Sequence, residues 1–447
     1  MLHARLTCIS LLVLGLGACS ASSNPSDNDN TVGESSGGRS AGGGGSSSMA
    51  TGGSVSTGGG GKGGASVSGG AGGTSGAGGS GGSGGTSGSG GSKSTPKQVG
   101  DCNDLPAPGI WEEITPAGVE TSDALTLDPF TDGTVWLGAD PIGGGTPGLG
   151  GVFQSTDCGA SFTHVNSGTN GEQVDNAHIW SMAIDYEDPG VMYVVGAYGP
   201  QGLWKSTNSG VDWTQLFPPD SEFAQTVNNN WVSSVSMDPE DPLHLVVGTH
   251  DNCSGAYAPT CGAETTDGGA TWKLFKTTFL AGWAEQTGPY IIDASTFVFA
   301  SVFDGTWLTT DHGSTWNKVT GIGGSCGGEF THRPIWREAG TYYLPACNPD
   351  GLATSSDGRA WTPVTGVPSG GYPLGFAIGG GNMYQGQFNS WNYSTASLSA
   401  PTTWTSMPKP SAADSGRQGP VFLEYDESHH ILYSANFTGG VWRIVTQ

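Results

Sequence analysis

Tyr290-Ile-Ile-Asp293, Val298-Phe-Ala-Ser301, Thr306-Trp-Leu-Thr309 and then Thr309-Thr-Asp311-His-Gly313-Ser-Thr315-Trp316, running on to Val319, make one complete copy of the unit that decides the fold. It opens with an apolar strand that ends in an acidic turn. Six more such strands read Ala124–Asp128, Ser181–Asp185, Ser234–Asp238, Pro334–Arg337, Gly375–Ile378 and Phe422–Tyr425. A second strand follows each, at Val135–Gly138, Met192–Val195, Leu245–Gly248, Tyr342–Pro345, Met383–Gly386 and Ile431–Ser434. A third is clearest at Val152–Ser155, Leu203–Ser206 and Val441–Ile444. A fourth starts on an aromatic with an apolar residue three places on: Phe162–Val165, Trp213–Leu216, Trp272–Phe275, Trp361–Val364 and Trp404–Met407. The chain stops one strand short, and Trp111-Glu-Glu-Ile114 at the front supplies the missing one. Four strands repeated seven times, with the first completing the last sheet, predict an all-β, closed seven-bladed propeller whose circular closure hides sheet edges.

The turn between the third and fourth strands has its own pattern. Ser155-Thr-Asp157-Cys-Gly159-Ala-Ser161-Phe162, Ser206-Thr-Asn208-Ser-Gly210-Val-Asp212-Trp213 and Thr265-Thr-Asp267-Gly-Gly269-Ala-Thr271-Trp272 repeat the version ending at Trp316. Ser355-Ser-Asp357-Gly-Arg-Ala-Trp361 is one residue shorter, and the last two repeats lack it. This pattern resembles the Asp-box (BNR) repeat of sialidases, xyloglucanase-type glycosidases, sortilin-like receptors and photosystem II assembly factors. The aspartate suits a structural role better than a catalytic one: it accepts bonds from turn amides, while glycine supplies a positive φ. In the resembled propellers these turns lie opposite the ligand funnel.

Around this head the composition is one-sided. The 447 residues carry a formal net charge of −24, and from Asp101 onward 10 Lys+Arg face 36 acidic residues. Phosphate-backbone binding, and so a nucleic-acid partner, is excluded. Residues 1–19 read as an export signal with the apolar run Ile9–Leu16, and Leu16-Gly17-Ala18-Cys19 resembles a bacterial lipobox with Cys19 as the lipidated residue. Residues 20–100 form a Gly/Ser-rich tract, predicted to be a disordered tether. Residues 101–447 form the propeller. The expected location is the cell envelope, at the outer membrane, with the lipid anchor as the sole membrane contact and the protein monomeric.

Six cysteines remain in the head, an even count that favours disulfides in an exported domain. The blade map pairs Cys253 with Cys261, Cys326 with Cys347, and Cys102 with Cys158. No spacing resembles a metal site, and no cofactor is expected, with a structural calcium ion left open.

Loops that lead into first strands and loops that join second to third strands share one face of a propeller. The first set supplies Asp123, His178, Trp231, Tyr290, His332, Arg333, Tyr372 and Arg417. The second supplies Asp140, Tyr198, His250, Asp251, Asp304, Asp350 and Trp391. Flat aromatic rings stack on sugars, and arginine pairs with carboxylates. Ligand contact is therefore expected from Arg333, Arg417, His178, Trp231, Tyr372, Trp391 and Asp140. Candidates for proton transfer are His250, His332, Tyr290 and Asp304.

Three functional classes fit. One is a glycan-active glycoside hydrolase or polysaccharide lyase on an extracellular, acidic polysaccharide. Another is a non-catalytic glycan or protein receptor, and the third an assembly factor for a membrane complex. A sialidase proper is disfavoured, since that family has six blades and an arginine motif absent here. The xyloglucanase type resembles two propellers in tandem, and this head accommodates one.

Overall fold

The computed structural model describes residues 97–141, 149–227, 230–250, 252–277, 286–301, 305–323, 335–346, 351–368, 372–388, 390–414 and 418–447. Seven four-stranded antiparallel sheets follow one another along them. Blade one is Thr121–Leu127, Val135–Asp140, Gly151–Ser155 and Thr163–His164; blade two is Ile179–Ile184, Met192–Gly196, Gly202–Ser206 and Thr214–Gln215. Blade three is Val232–Met237, Leu245–Thr249, Cys261–Thr265 and Lys273–Lys276; blade four is Gln286–Asp293, Thr296–Ser301, Gly305–Thr309 and Asn317–Lys318. Blade five is Trp336–Glu338, Thr341–Ala346, Gly351–Ser355 and Thr362–Pro363; blade six is Tyr372–Gly379, Asn382–Phe388, Asn392–Ser397 and Thr405–Ser406. Blade seven takes Phe422–Asp426, Ile431–Ala435 and Val441–Val445 from the end of the chain and Trp111–Glu113 from the front.

That last pairing closes the ring as the sequence predicts. Trp111 lies opposite Ile444, Glu112 opposite Arg443 and Glu113 opposite Trp442. The Arg443 side chain, 2% exposed, donates from Nε to Glu112 at 2.7 Å and from Nη1 to the Cys158 carbonyl of blade one at 2.6 Å. One buried guanidinium thus holds the closing strand, blade seven and blade one together.

The core is divided among the seams between neighbouring blades. Leu125, Leu137, Tyr433 and Val441 fill the seam of blades seven and one. Trp136, Ile179, Val194 and Trp213 fill the next, and Tyr193, Leu203, Val235 and Val247 the one after. Alternation along each strand produces this arrangement, because both faces of every sheet are covered by a neighbour. Most tryptophans are consumed here, as blade-to-blade packing.

The Ser/Thr-x-Asp-x-Gly turns are self-contained. In blade four Thr309 Oγ1 accepts from the Gly313 amide at 3.0 Å, and Asp311 accepts from the Thr315 amide at 2.8 Å and its hydroxyl at 2.6 Å. Gly313 sits at φ 75°, and a Cβ there would come within 2.6 Å of Phe275 across the seam. Conformation and close approach therefore both require glycine. These turns bond to the turns after first strands, as Gly268 N does to Leu243 O and His312 N to Ser295 O. They lie on the face where first strands end, opposite the one where they begin.

Two predicted disulfides are present, Cys102–Cys158 and Cys253–Cys261. Cys326 and Cys347 lie outside the described residues, as do Cys19 and the expected signal and most of the tether. Two one-turn helices, Gly171–Asp175 and Glu222–Thr226, precede the first strands of blades two and three.

Candidate functional site

Three neighbouring blades build a site at the start of their first strands, and they do so with the same device. In blade one Ser122 faces Ala139 and Ala124 faces Gly138, so Asp123 is an extra, bulged residue. In blade two Trp180 is extra in the same way, and in blade three Ser233 is. A β-bulge breaks the two-residue alternation and re-aims a side chain. Asp123 and Trp180 owe their direction to it.

Asp123 is fully buried and Asp140, at the end of the second strand, is 2% exposed. The two carboxyl groups are close enough to interact. Burial pushes Asp140 up to about 7, and its Asp123, Ile179 amide and Thr121 neighbours offset part of that rise. Two neighbouring buried carboxyls cannot both ionise cheaply, which keeps Asp140 well above the usual carboxylate range. His178 Nδ1 lies 3.6 Å from Asp140 Oδ2, and burial pulls this imidazole down to about 4, leaving it neutral.

Beside the pair runs a row of rings. Tyr198 meets His178 edge-on at 5.0 Å and Trp231 at 4.8 Å. Trp231 stacks on His250 at 4.1 Å with an interplanar angle of 22°, and Trp180 touches Tyr198, Trp231 and His250. Trp180 and His250 are buried, whereas Tyr198 and Trp231 remain partly exposed. The row carries neither lysine nor arginine.

Of the sequence candidates, the structure brings together Asp123, Asp140, His178, Tyr198, Trp231 and His250. Tyr290 is placed elsewhere: its strand begins four residues earlier, at Gln286, and it lines a cavity of about 650 Å³ with Met182, Met237 and Trp336. Residues ending first strands wall that cavity, and Tyr290 meets Tyr342 edge-on there at 6.4 Å. Trp391 is 2% exposed and packs with Tyr393, Trp442 and Trp111 between blades six and seven, so it presents no face to a ligand. Tyr372 opens the first strand of blade six. His332, Arg333, Arg417, Asp304, Asp251 and Asp350 lie outside the described residues.

Sequence reasoning missed Trp180. It precedes Ser181-Met-Ala-Ile and follows His178-Ile179, so a two-residue alternation simply assigns it to a strand face. The signal available was positional, since Asp123 and Trp180 both stand just before the apolar run.

No known protein-family profile matches the chain. Among curated proteins it is 26% identical over 322 residues to a xyloglucanase of Hypocrea jecorina, a stretch covering 66% of this chain and 34% of the relative. A xyloglucanase of a Paenibacillus species is 23% identical over 323 residues, covering 66% and 27%. Among solved structures, the GH74 xyloglucanase from Xanthomonas campestris superposes with a TM-score of 0.51 at 16% identity, over 76% of this chain and 54% of that one. That likeness concerns the fold. The chain is thus a single propeller similar to xyloglucanases, spanning about a third of the length of the curated relatives it matches.

Proposed function

We propose that the head binds a neutral extracellular polysaccharide across Tyr198 and Trp231 and hydrolyses it with Asp140 as the proton-accepting group. The observation that carries this reading is the buried Asp123–Asp140 pair beside His178 and a row of aromatic rings. Sugar C–H faces stack on such rings, and a carboxyl held near neutrality suits general base work. The two aspartates do not flank a glycosidic bond by themselves. Inverting enzymes space their carboxyls roughly 6.5–9.5 Å apart and retaining ones about 5–5.5 Å. Asp123 and Asp140 interact with each other, so the acid is a separate group, and Asp304, a sequence candidate outside the described residues, is the one proposed.

The preference for a neutral substrate is this reading's own, supported by the aromatic rings among the described residues. An acidic polysaccharide would need Arg333 and Arg417 to complete the site. The similarity to xyloglucanases supports a glycan ligand, and the apolar run ending at Cys19 supports export with a lipid anchor.

The test is to incubate the full-length protein and its Asp140→Asn variant with xyloglucan, other neutral glucans and polyuronates, following new reducing ends and binding. Product from a neutral glucan that disappears in the variant supports the reading. Saturable binding without product makes the head a receptor, and product from polyuronates alone makes the arginines the determinant.

A further inference from the structure

His178 is one of several groups in this site with a buried polar atom that lacks a hydrogen-bond partner among the described residues. Its backbone is held on both sides, the amide donating to Tyr198 O at 3.0 Å and the carbonyl accepting from Ala197 N at 2.9 Å. Its ring stands edge-on to Tyr198, so the imidazole cannot swing freely. Nδ1 looks at Asp140 Oδ2 from 3.6 Å, about half an ångström too far for a hydrogen bond. Nε2 is buried and has no hydrogen-bond partner among the described residues. A ring with one nitrogen just short of a carboxyl and the other unsatisfied is incompletely bonded, and a small shift of the ring or of its Tyr198 cover opens Nε2 to a ligand. Among the described residues the titratable groups around it are Asp123 and Asp140 from blade one, Tyr198 from blade two and, across Trp180, His250 from blade three.

Resting on the reading of Asp140 as base, we propose that His178 is a positioning residue that couples glycan binding to Asp140: a sugar hydroxyl donates to Nε2, which fixes the proton on Nδ1 and brings that N–H onto the Asp140 carboxylate. A neutral imidazole carries one proton, and an acceptor role for Nε2 puts it on Nδ1. Hydrogen bonds of this kind are often long without substrate and tighten when it binds. The bond favours the ionised carboxylate, so binding itself readies the base.

The experiment follows Asp140 directly by carbon-13 carboxyl titration of the full-length protein, with and without a xyloglucan oligosaccharide, in the wild type, His178→Phe and His178→Asn. In the wild type the oligosaccharide should lower the Asp140 midpoint by about one to two pH units, the size expected of a hydrogen bond to a charged group. His178→Phe should abolish that shift, and His178→Asn, whose amide can still donate, should restore part of it. The acid limb of the pH profile for product release should move in parallel. An unchanged ligand-induced shift in His178→Phe, or in His178→Asn should the Phe variant not fold, overturns the proposal. Absence of product alone overturns only the hydrolytic reading, because the titration still decides the role of His178.

Discussion

Removing Glu112 should cost more than removing Arg443, although the two form one ion pair. Arg443 is the deeply buried member, its side chain 2% exposed against 40% for Glu112. Glu112→Ala leaves a guanidinium sealed in the seam with the Cys158 carbonyl as its remaining hydrogen-bond acceptor among the described residues. Breaking a buried pair from that side costs about 3–5 kcal/mol, and the retained bond places this case near 3. Arg443→Met instead leaves Glu112 free to turn into water. What is lost is chiefly a charge-assisted bond to the Cys158 carbonyl, worth about 1.5–3 kcal/mol and partly offset by the apolar methionine. At roughly 2.1 cal/mol/K per residue, a head of about 350 residues has an unfolding entropy near 0.7 kcal/mol/K. Glu112→Ala should therefore lower Tm by about 4 °C and Arg443→Met by about 2 °C in calorimetry of the full-length protein. The double variant should fall close to Arg443→Met alone, since no buried charge is then left unpaired. If Arg443→Met proves the more damaging, or the two losses simply add, the assignment of Arg443 as the pin of the closed ring is wrong.

Burial resists charge on His244, but bonds to Asp238 at 2.8 Å and Glu264 at 3.1 Å prevail and lift the imidazole to about 9. A folded value raised above the unfolded 6.5 gives stability that is complete below pH 6.5 and fades as pH rises through 9. His244→Leu should flatten the fall in the urea midpoint over that window, and an unchanged slope would count against the network. Asp267→Ala, in a turn on the far face, should lower Tm while leaving glycan affinity intact; lost binding in a stable variant would move the site to that face. Trp231→Ala should weaken polysaccharide binding about tenfold by removing an exposed stacking ring, and unaltered affinity would remove Trp231 from the contact surface. Peptide mapping without reduction should find Cys326 joined to Cys347 beside the two bonds present, whereas a crossed pair would shift the blade-five strand assignment.

How far these features could be read in advance depends on whether each is set by one strand or by two. The closing strand was legible because strand number is a counting property: a seventh blade lacking its fourth strand and an unused strand at Trp111 have one economical solution. The face carrying the site was legible too, since strand order alone assigns Asp140, His178, Trp231 and His250 to one end. Direction within that face was not. Whether Asp123 turns toward Asp140 depends on the register of two strands, and a single extra residue between Ser122 and Ala124 reverses it. The same applies to Trp180, which alternation alone could not turn toward His250. Trp391 shows the converse. It stands in the right loop, but its backbone adopts φ 53° and its ring fills space opened by Gly419 and Gly439. A Cβ on Gly439 would come within 2.3 Å of that ring. Those glycines belong to the neighbouring blade, so the burial of Trp391 is written in residues 28 and 48 positions away. In a propeller, therefore, a loop residue's role is fixed by the seam beside it, and the sites most exposed to misreading are aromatics whose neighbouring blade has glycine to spare.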